Sequence, residues 1–299
     1  MAQTAVLLDS YLKTLCLPTF VREYPQAVRQ ATEADQAYEA FLLHLAELEV
    51  RAREVRATSR RLKQAGFPAT KELSDYDFSA VPRLNKRKIL ELARGDYLDQ
   101  RANVILVGAP GVGKTHLAIA LAREACRQGR RVKFFTAAAL VNTYAEAREQ
   151  RHILRLEASI RKRHLIVIDE LGYIPFARHA AENLFSFFSH CYEQTSVLLT
   201  TNLPFADWPQ ILAGDERLAG ALLDRLTHRV HIVEVPGDSY RFKASLKARE
   251  ADQQSEPPKQ TKKPSALEDK KKATASEAIE DSNTSAQGVS EGKKKTPSA

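Results

Sequence analysis

A chain of 299 residues with 43% hydrophobic and 27% charged side chains can bury a sizeable core, and its composition excludes a wholly disordered, collagen-like or coiled-coil protein. Forty-five Lys and Arg stand against 37 Asp and Glu, and the formal charge of +8 favours an anionic partner. Cys16, Cys126 and Cys191 are far apart and show no metal-ligand spacing, which argues against a disulfide framework or zinc site and for a reducing, cytoplasmic compartment. No apolar run approaches the ~18–20 residues of a membrane span. The start, MAQTAVLLDSYLK, lacks the basic end and small-residue cleavage site of a signal peptide.

In chain order, residues 1–75 read as a small helical domain that binds DNA, a partner, or both, and ends near Gly66-Phe67-Pro68, where Gly and Pro break the helical spacing. Its charge is uneven: residues 1–49 sum to −4 and 50–75 to +4. Arg51, Arg53, Arg56, Arg60, Arg61 and Lys63 form its basic end, either a solvated face or a surface that contacts phosphates. Residues 76–249 alternate strand-like runs (103–107, 131–136, 164–169, 196–201, 229–235) with helical ones (114–128, 137–149, 151–162, 178–192, 214–227). That alternation predicts an α/β fold, a parallel sheet covered by helices. Residues 250–299 hold three large apolar residues, no aromatic, nine Lys and nine acidic side chains, the composition of a disordered, solvated tail. Both ends are therefore neutral, and the whole +8 lies in 76–249.

Within the middle region, Gly108-Ala109-Pro110-Gly111-Val112-Gly113-Lys114-Thr115 matches GxxxxGK[ST], follows the strand-like 103–107 and opens a helix. Glycines free backbone N–H groups to wrap phosphates, and the helix N-terminus adds partial positive charge. Lys114 is expected at the β- and γ-phosphates of ATP, Thr115 on Mg2+, and His116 beside them in the nucleotide-binding set. The run HLIVIDE ends in Asp169 and Glu170. Because ligands of open α/β sheets bind beyond the carboxyl ends of strands, Asp169 is expected to hold Mg2+, directly or through water, and Glu170 to polarise the attacking water; a surface Asp-Glu turn after a core strand is the other reading. The strand VLLTTN ends in Asn202, which either senses the γ-phosphate or the attacking water or simply forms a turn; Thr201 is the adjacent alternative.

GAPGVGKT, LIVIDE, LLTTN, DRLTHR and SYR, in this order, resemble the AAA+ ATPase module of the initiator and helicase-loader clade. DYDFS (75–79), DELGYIP (169–175), ERLAGALLDRLTHR (216–229) and GDSYR (237–241) further resemble the IstB transposition-helper family, over residues 1–245. The resemblance implies a P-loop AAA+ sheet flanked by helices after an all-α segment. Asp169 and Glu170 would be the Walker B pair, Asn202 the γ-phosphate sensor, and Arg225 a finger supplied to a neighbouring subunit. Arg241 would fall near the second sensor. In that clade an added helix lines the DNA channel of the oligomer, which implies DNA contacts for Arg148, Arg151, Arg155, Arg161, Lys162 and Arg163; a solvated helical face is the other reading. The implied activity is ATP hydrolysis by a homo-oligomer that assembles on double-stranded DNA and recruits or stimulates a transposase of an insertion sequence. A helicase loader acting on single-stranded DNA is the nearest alternative, and a P-loop small-molecule kinase a more distant one.

Overall fold

A computed structural model describes residues 2–237 together with 239 and 240; Arg241 and the expected tail, 250–299, lie outside the described residues. Three helices come first: α1 (Ala2–Thr14), α2 (Pro18–Glu33) and α3 (Tyr38–Ala65). Pro18 sits in the first turn of α2, where a missing N–H costs nothing and the fixed φ suits a helix. Gly66 ends α3 at a φ of 74°, the left-handed cap that glycine adopts without a Cβ penalty. The early part of α3 packs on α2. Its last turns bring Leu62 and the fully buried Ala65 into the core of the sheet module, beside Phe67, whose ring meets Phe134 edge-on at 6.2 Å.

Two short helices, α4 (Lys86–Ala93) and α5 (Asp96–Asp99), precede the alternating region. There β1 (Asn103–Val107), α6 (Lys114–Arg127), β2 (Val132–Thr136), α7 (Ala137–Glu149), α8 (Ile153–Arg161) and β3 (Leu165–Leu171) follow in turn. The described elements end with α9 (Arg178–Cys191), β4 (Ser196–Thr201), α10 (Trp208–Ile211), α11 (Glu216–Thr227) and β5 (Val230–Glu234). All five strands run parallel in the order β2-β3-β4-β1-β5. This is the parallel sheet covered by helices that the alternation predicts.

Alternation along each strand divides the interior. Val104 and Leu106 of β1 face a core that includes Leu117 and Leu121 of α6, whereas Ile105 faces one built from Leu140 of α7, Phe187 of α9 and Leu222 of α11. A sheet covered on both faces has strands that read as continuous apolar runs, which is why LIVI and VLL are legible. Parallel pairing also places every carboxyl end on one edge. Val107 pairs with Thr201, and Thr201 with Leu171, so the last residues of β1, β4 and β3 lie side by side.

Candidate functional site

At that edge the loop 108–113 leaves β1 and turns into α6. Gly108 N donates to Thr201 O at 3.2 Å, tying the loop to the end of β4. Gly113 has a φ of 98°, and a Cβ there would lie 2.9 Å from the Tyr76 ring; only glycine fits this position. Lys114 folds back over the loop, its Nζ donating to the carbonyls of Gly108 and Ala109 at 2.8 Å each. A loop that closes on its own lysine is poised to pass that lysine to an anion.

Beneath the loop, Thr115 Oγ1 donates to Asp169 Oδ1 at 3.0 Å. Asp169 is 4% exposed and also accepts from Thr200 Oγ1 at 2.5 Å. The same Thr200 hydroxyl accepts from Glu170 N at 3.0 Å. Here β3 bulges: its register against β4 shifts between Ile168 and Leu171, and Glu170 has a φ of 64°, uncommon for a residue with a Cβ. The bulge re-aims Glu170, whose neighbours in β3 are buried, toward solvent beside the loop. Asn202 comes to the same place. Its Oδ1 is buried and has no hydrogen-bond partner among the described residues, and it is crowded by Gly172, where a Cβ would lie 3.1 Å from that oxygen and 2.9 Å from Leu203.

A cavity of about 360 Å3 opens beside the loop, walled by Gly111 to His116, Ile119, Glu170 and Tyr173 on one side and by residues 68–81 on the other. The second wall was not legible as part of the site, because the motif text DYDFS carries no chemistry of its own. Tyr76 stands edge-on to His116 at 5.3 Å and to Phe78 at 4.9 Å, and its hydroxyl reaches Val112 O at 3.4 Å. Burial, with the charge of Asp77 behind it, pushes the phenol up to about 12, so it stays a donor. The wall is clamped to α6. Glu72 accepts from Arg123 at 2.9 and 2.5 Å and from Arg127 at 2.6 Å, and its carbonyl accepts from His116 Nε2 at 2.9 Å.

Arg225 is elsewhere. It is half-buried near the end of α11, with Nη1 donating to Ala221 O at 2.8 Å and the guanidinium 4.6 Å from the centre of the Phe185 ring. Neither Asp224 nor Glu216 pairs with it among the described residues. Its neighbour Leu226 accepts at its carbonyl from Asn103, the first residue of β1, so Arg225 lies at the amino edge of the sheet and the phosphate loop at the carboxyl edge.

The basic residues separate into two kinds. Arg148, Arg151, Arg155, Arg161 and Lys162 are exposed, Arg163 is half-buried, and none has an ion-pair partner among the described residues. Glu157, an acidic residue among them in the sequence, is turned inward and lies 3.1 Å from His190. In the N-terminal set, by contrast, Arg53 and Arg56 both bind Glu49, Arg61 donates to Cys126 O at 2.8 Å, and Arg51 approaches Glu47 at 3.7 Å. Arg60 and Lys63 have no such partner among the described residues.

Against this geometry, the model of the IstB-like ATP binding protein family matches residues 10–248. The chain belongs to that family. Among IstB-like relatives, it is 38% identical over 221 residues to the insertion sequence IS21 ATP-binding protein of Pseudomonas aeruginosa, covering 74% of this chain and 83% of that one. It is 34% identical over 239 residues to the insertion sequence IS5376 ATP-binding protein of Geobacillus stearothermophilus, covering 79% and 94%. Among solved structures it is similar to AMPPCP-bound DnaA from Aquifex aeolicus, at 20% identity and a TM-score of 0.49 over 62% of this chain and 56% of that one. It is also similar to the DnaC helicase loader, at 18% identity and a TM-score of 0.42 over 49% and 86%. The IstB-like match spans the helical segment and the sheet module alike.

Proposed function

We propose that this IstB-like chain binds and hydrolyses ATP with Mg2+, assembles through ATP into a homo-oligomer on double-stranded DNA, and recruits or stimulates the transposase of an insertion sequence in the cytoplasm. In this organisation residues 1–75 serve DNA or partner binding and 76–249 the ATPase. The observation that carries the reading is the meeting of Thr115 and Asp169 under the phosphate loop with Glu170 exposed beside it. Two oxygen donors, one a carboxylate, are what Mg2+ takes from a protein when phosphates supply further ligands. When bound, the ion neutralises charge on the phosphates. Lys114 and the backbone N–H groups of 108–115 hold the phosphates, and residues 68–81 with His116 enclose the rest of the nucleotide. Glu170 accepts a proton as water attacks the γ-phosphorus: an O–P bond forms, the bond to the bridging oxygen breaks, and ADP leaves with its electron pair. Asn202 orients that water, and Arg225 acts on a neighbouring subunit. The unpaired arginines of α7 and α8 contact DNA phosphates, which positions the protein without reading bases.

The test is ATP-dependent assembly on linear duplex DNA, compared with single-stranded DNA, by electron microscopy and ATP turnover. Glu170→Gln is expected to bind ATP, to cut turnover at least about a hundredfold, and to accumulate as an assembly on duplex DNA. Normal turnover by this variant would remove Glu170 from its role, and assembly confined to single strands would favour a helicase loader.

A further inference from the structure

The helical segment has a cavity of its own, about 610 Å3, which the ATP site does not use. It lies between the turn that joins α1 to α2 and one side of α3, and four cations line it: Lys13, Arg53, Arg56 and Arg60. Positions 53, 56 and 60 share a stripe about 10 Å long on α3, given ~1.5 Å of rise per residue. Like charges so placed repel one another, and Glu49 offsets that cost. It is 3% exposed, accepts from Arg53 Nε at 2.8 Å and Arg56 Nη2 at 2.9 Å, and accepts from Thr19 N in the first turn of α2 at 2.9 Å. Burial pushes its carboxyl up, but these hydrogen bonds outweigh burial and hold it at about 2. Glu49 is therefore ionised at neutral pH and cancels one of the four positive charges.

The carboxylate also sets direction. Arg53 donates Nε to Glu49 and Nη2 to Cys16 O at 2.8 Å, so its planar fork is fixed at the cavity wall. Arg56 is fixed likewise by Glu49 and Ala52 O. Lys13 and Arg60 are exposed and have no hydrogen-bond or ion-pair partner among the described residues. Oriented guanidinium groups, a free ammonium and a surplus of three charges in one concave surface suit a phosphate group. The rest of the lining, Cys16, Leu17, Pro18 and Ala57, has no aromatic ring on which a base could stack. That favours a sugar-phosphate backbone over a free nucleotide.

We infer that this cavity is a second phosphate-binding site, separate from the phosphate loop, and that a backbone phosphate of duplex DNA occupies it. The identity of the occupant rests on the duplex-DNA reading above; the phosphate chemistry does not. The site makes Arg53 and Arg56 preset donors, and leaves Lys13 and Arg60 to close on the anion.

The test uses the full chain without nucleotide. Binding to a linear duplex is measured over a range of salt for the unaltered protein, for Lys13→Gln with Arg60→Gln, and for Arg22→Gln with Arg29→Gln, which removes equal charge from the exposed side of α2. Loss of this one phosphate contact is expected to flatten the log–log salt slope by about 0.9, at ~0.9 per phosphate, and to weaken binding at least about tenfold at low salt. The control pair keeps its slope, and Arg60→Lys keeps most of the affinity. Matched melting temperatures show that the variants fold; Arg60→Gln alone, with half the slope change, serves if the pair does not. A second arm titrates inorganic phosphate by phosphorus NMR in a Lys114→Ala background, where the phosphate loop is disabled. Saturable phosphate binding that is lost in the cavity pair, with the DNA slope unchanged, would overturn DNA as the occupant. No change in either arm would overturn the site. If the unaltered protein binds no duplex in the presence of ATP either, the functional proposal fails, and the phosphate arm alone decides whether the cavity binds phosphate.

Discussion

Thr200 is 1% exposed, and its single hydroxyl serves two neighbours, donating to Asp169 and accepting from the backbone of Glu170. One side chain thus fixes both the carboxylate under the phosphate loop and the strained residue that follows it. Strain at Glu170 persists only if the surroundings over-determine it, and Thr200 supplies that constraint from the adjacent strand. It is a positioning residue that touches no substrate. Thr200→Val keeps the shape and deletes the hydroxyl; it is expected to lower kcat for ATP at least about tenfold, in the range seen when the outer partners of a site are lost, with KM within about threefold. Thr200→Ser is expected to restore kcat. Steady-state kinetics beside melting curves check this: an unchanged kcat, or a loss that serine fails to rescue, would make Thr200 merely structural. The next residue, Thr201, which the sequence offers beside Asn202 as a candidate for the γ-phosphate or attacking water, has a hydroxyl that accepts from Leu203 N in the turn after β4. Residues 200 and 201 point to opposite faces, and the register that pairs Ile168 with Leu199 sets Thr200, not Thr201, beside Asp169.

At the scale of elements, the segment between α3 and α4 matters most, because it has little regular structure and yet forms one wall of the cavity beside the phosphate loop. Glu72 holds it in place. Burial pushes the Glu72 carboxyl up, but Arg123 and Arg127 bring it below the usual carboxylate range. A carboxyl lowered on folding contributes stability that is full above its unfolded value of ~4.3 and is lost as pH falls below it, so the clamp is intact at neutral pH. Glu72→Gln is expected to raise the Kd for ATP about three- to tenfold by loosening the Tyr76 wall, while Thr115 and Asp169 remain in place. Isothermal titration at pH 7 checks it, and an unchanged Kd would detach the clamp from nucleotide binding. Such a wall is hard to see in a sequence, because its contacts join residues 72 and 123 across two elements. The strands were legible because burial on both faces makes them apolar throughout, and the phosphate loop because its fixed residues are adjacent in the chain. Charge was legible only as a sum. Glu157 counts against the α8 arginines in the sequence but faces His190 in the fold, whereas Arg53 and Arg56 count as free cations and are bound by Glu49.

For the whole molecule, the position of Arg225 carries the argument. Parallel strands put the phosphate loop on one edge of the sheet and the end of α11 on the other, so this arginine cannot serve the loop of its own chain. If it is a finger, it acts across a head-to-tail contact in which each subunit completes the next, the heterologous kind of interface that builds rings or helices. Hydrolysis then depends on assembly, and the energetic weight is large, because an arginine delivered to a transferring phosphoryl group is worth about a thousandfold or more in rate. The alternative is local: Arg225 lies over Phe185 and caps its own helix through Ala221 O, contacts whose loss would appear in stability. Arg225→Ala is therefore expected to keep ATP affinity and to lose hydrolysis at least about a hundredfold, with a melting shift of only a few degrees. Arg225→Lys is expected to rescue little, since an ammonium lacks the planar fork. The deciding measurement mixes Arg225→Ala with Lys114→Ala, each inactive alone. The first has an intact loop and the second an intact arginine, so interfaces that join them in the right order regain turnover in proportion to their frequency. Absence of recovery, with both proteins present in the same assembly, would return Arg225 to a structural role within its own subunit.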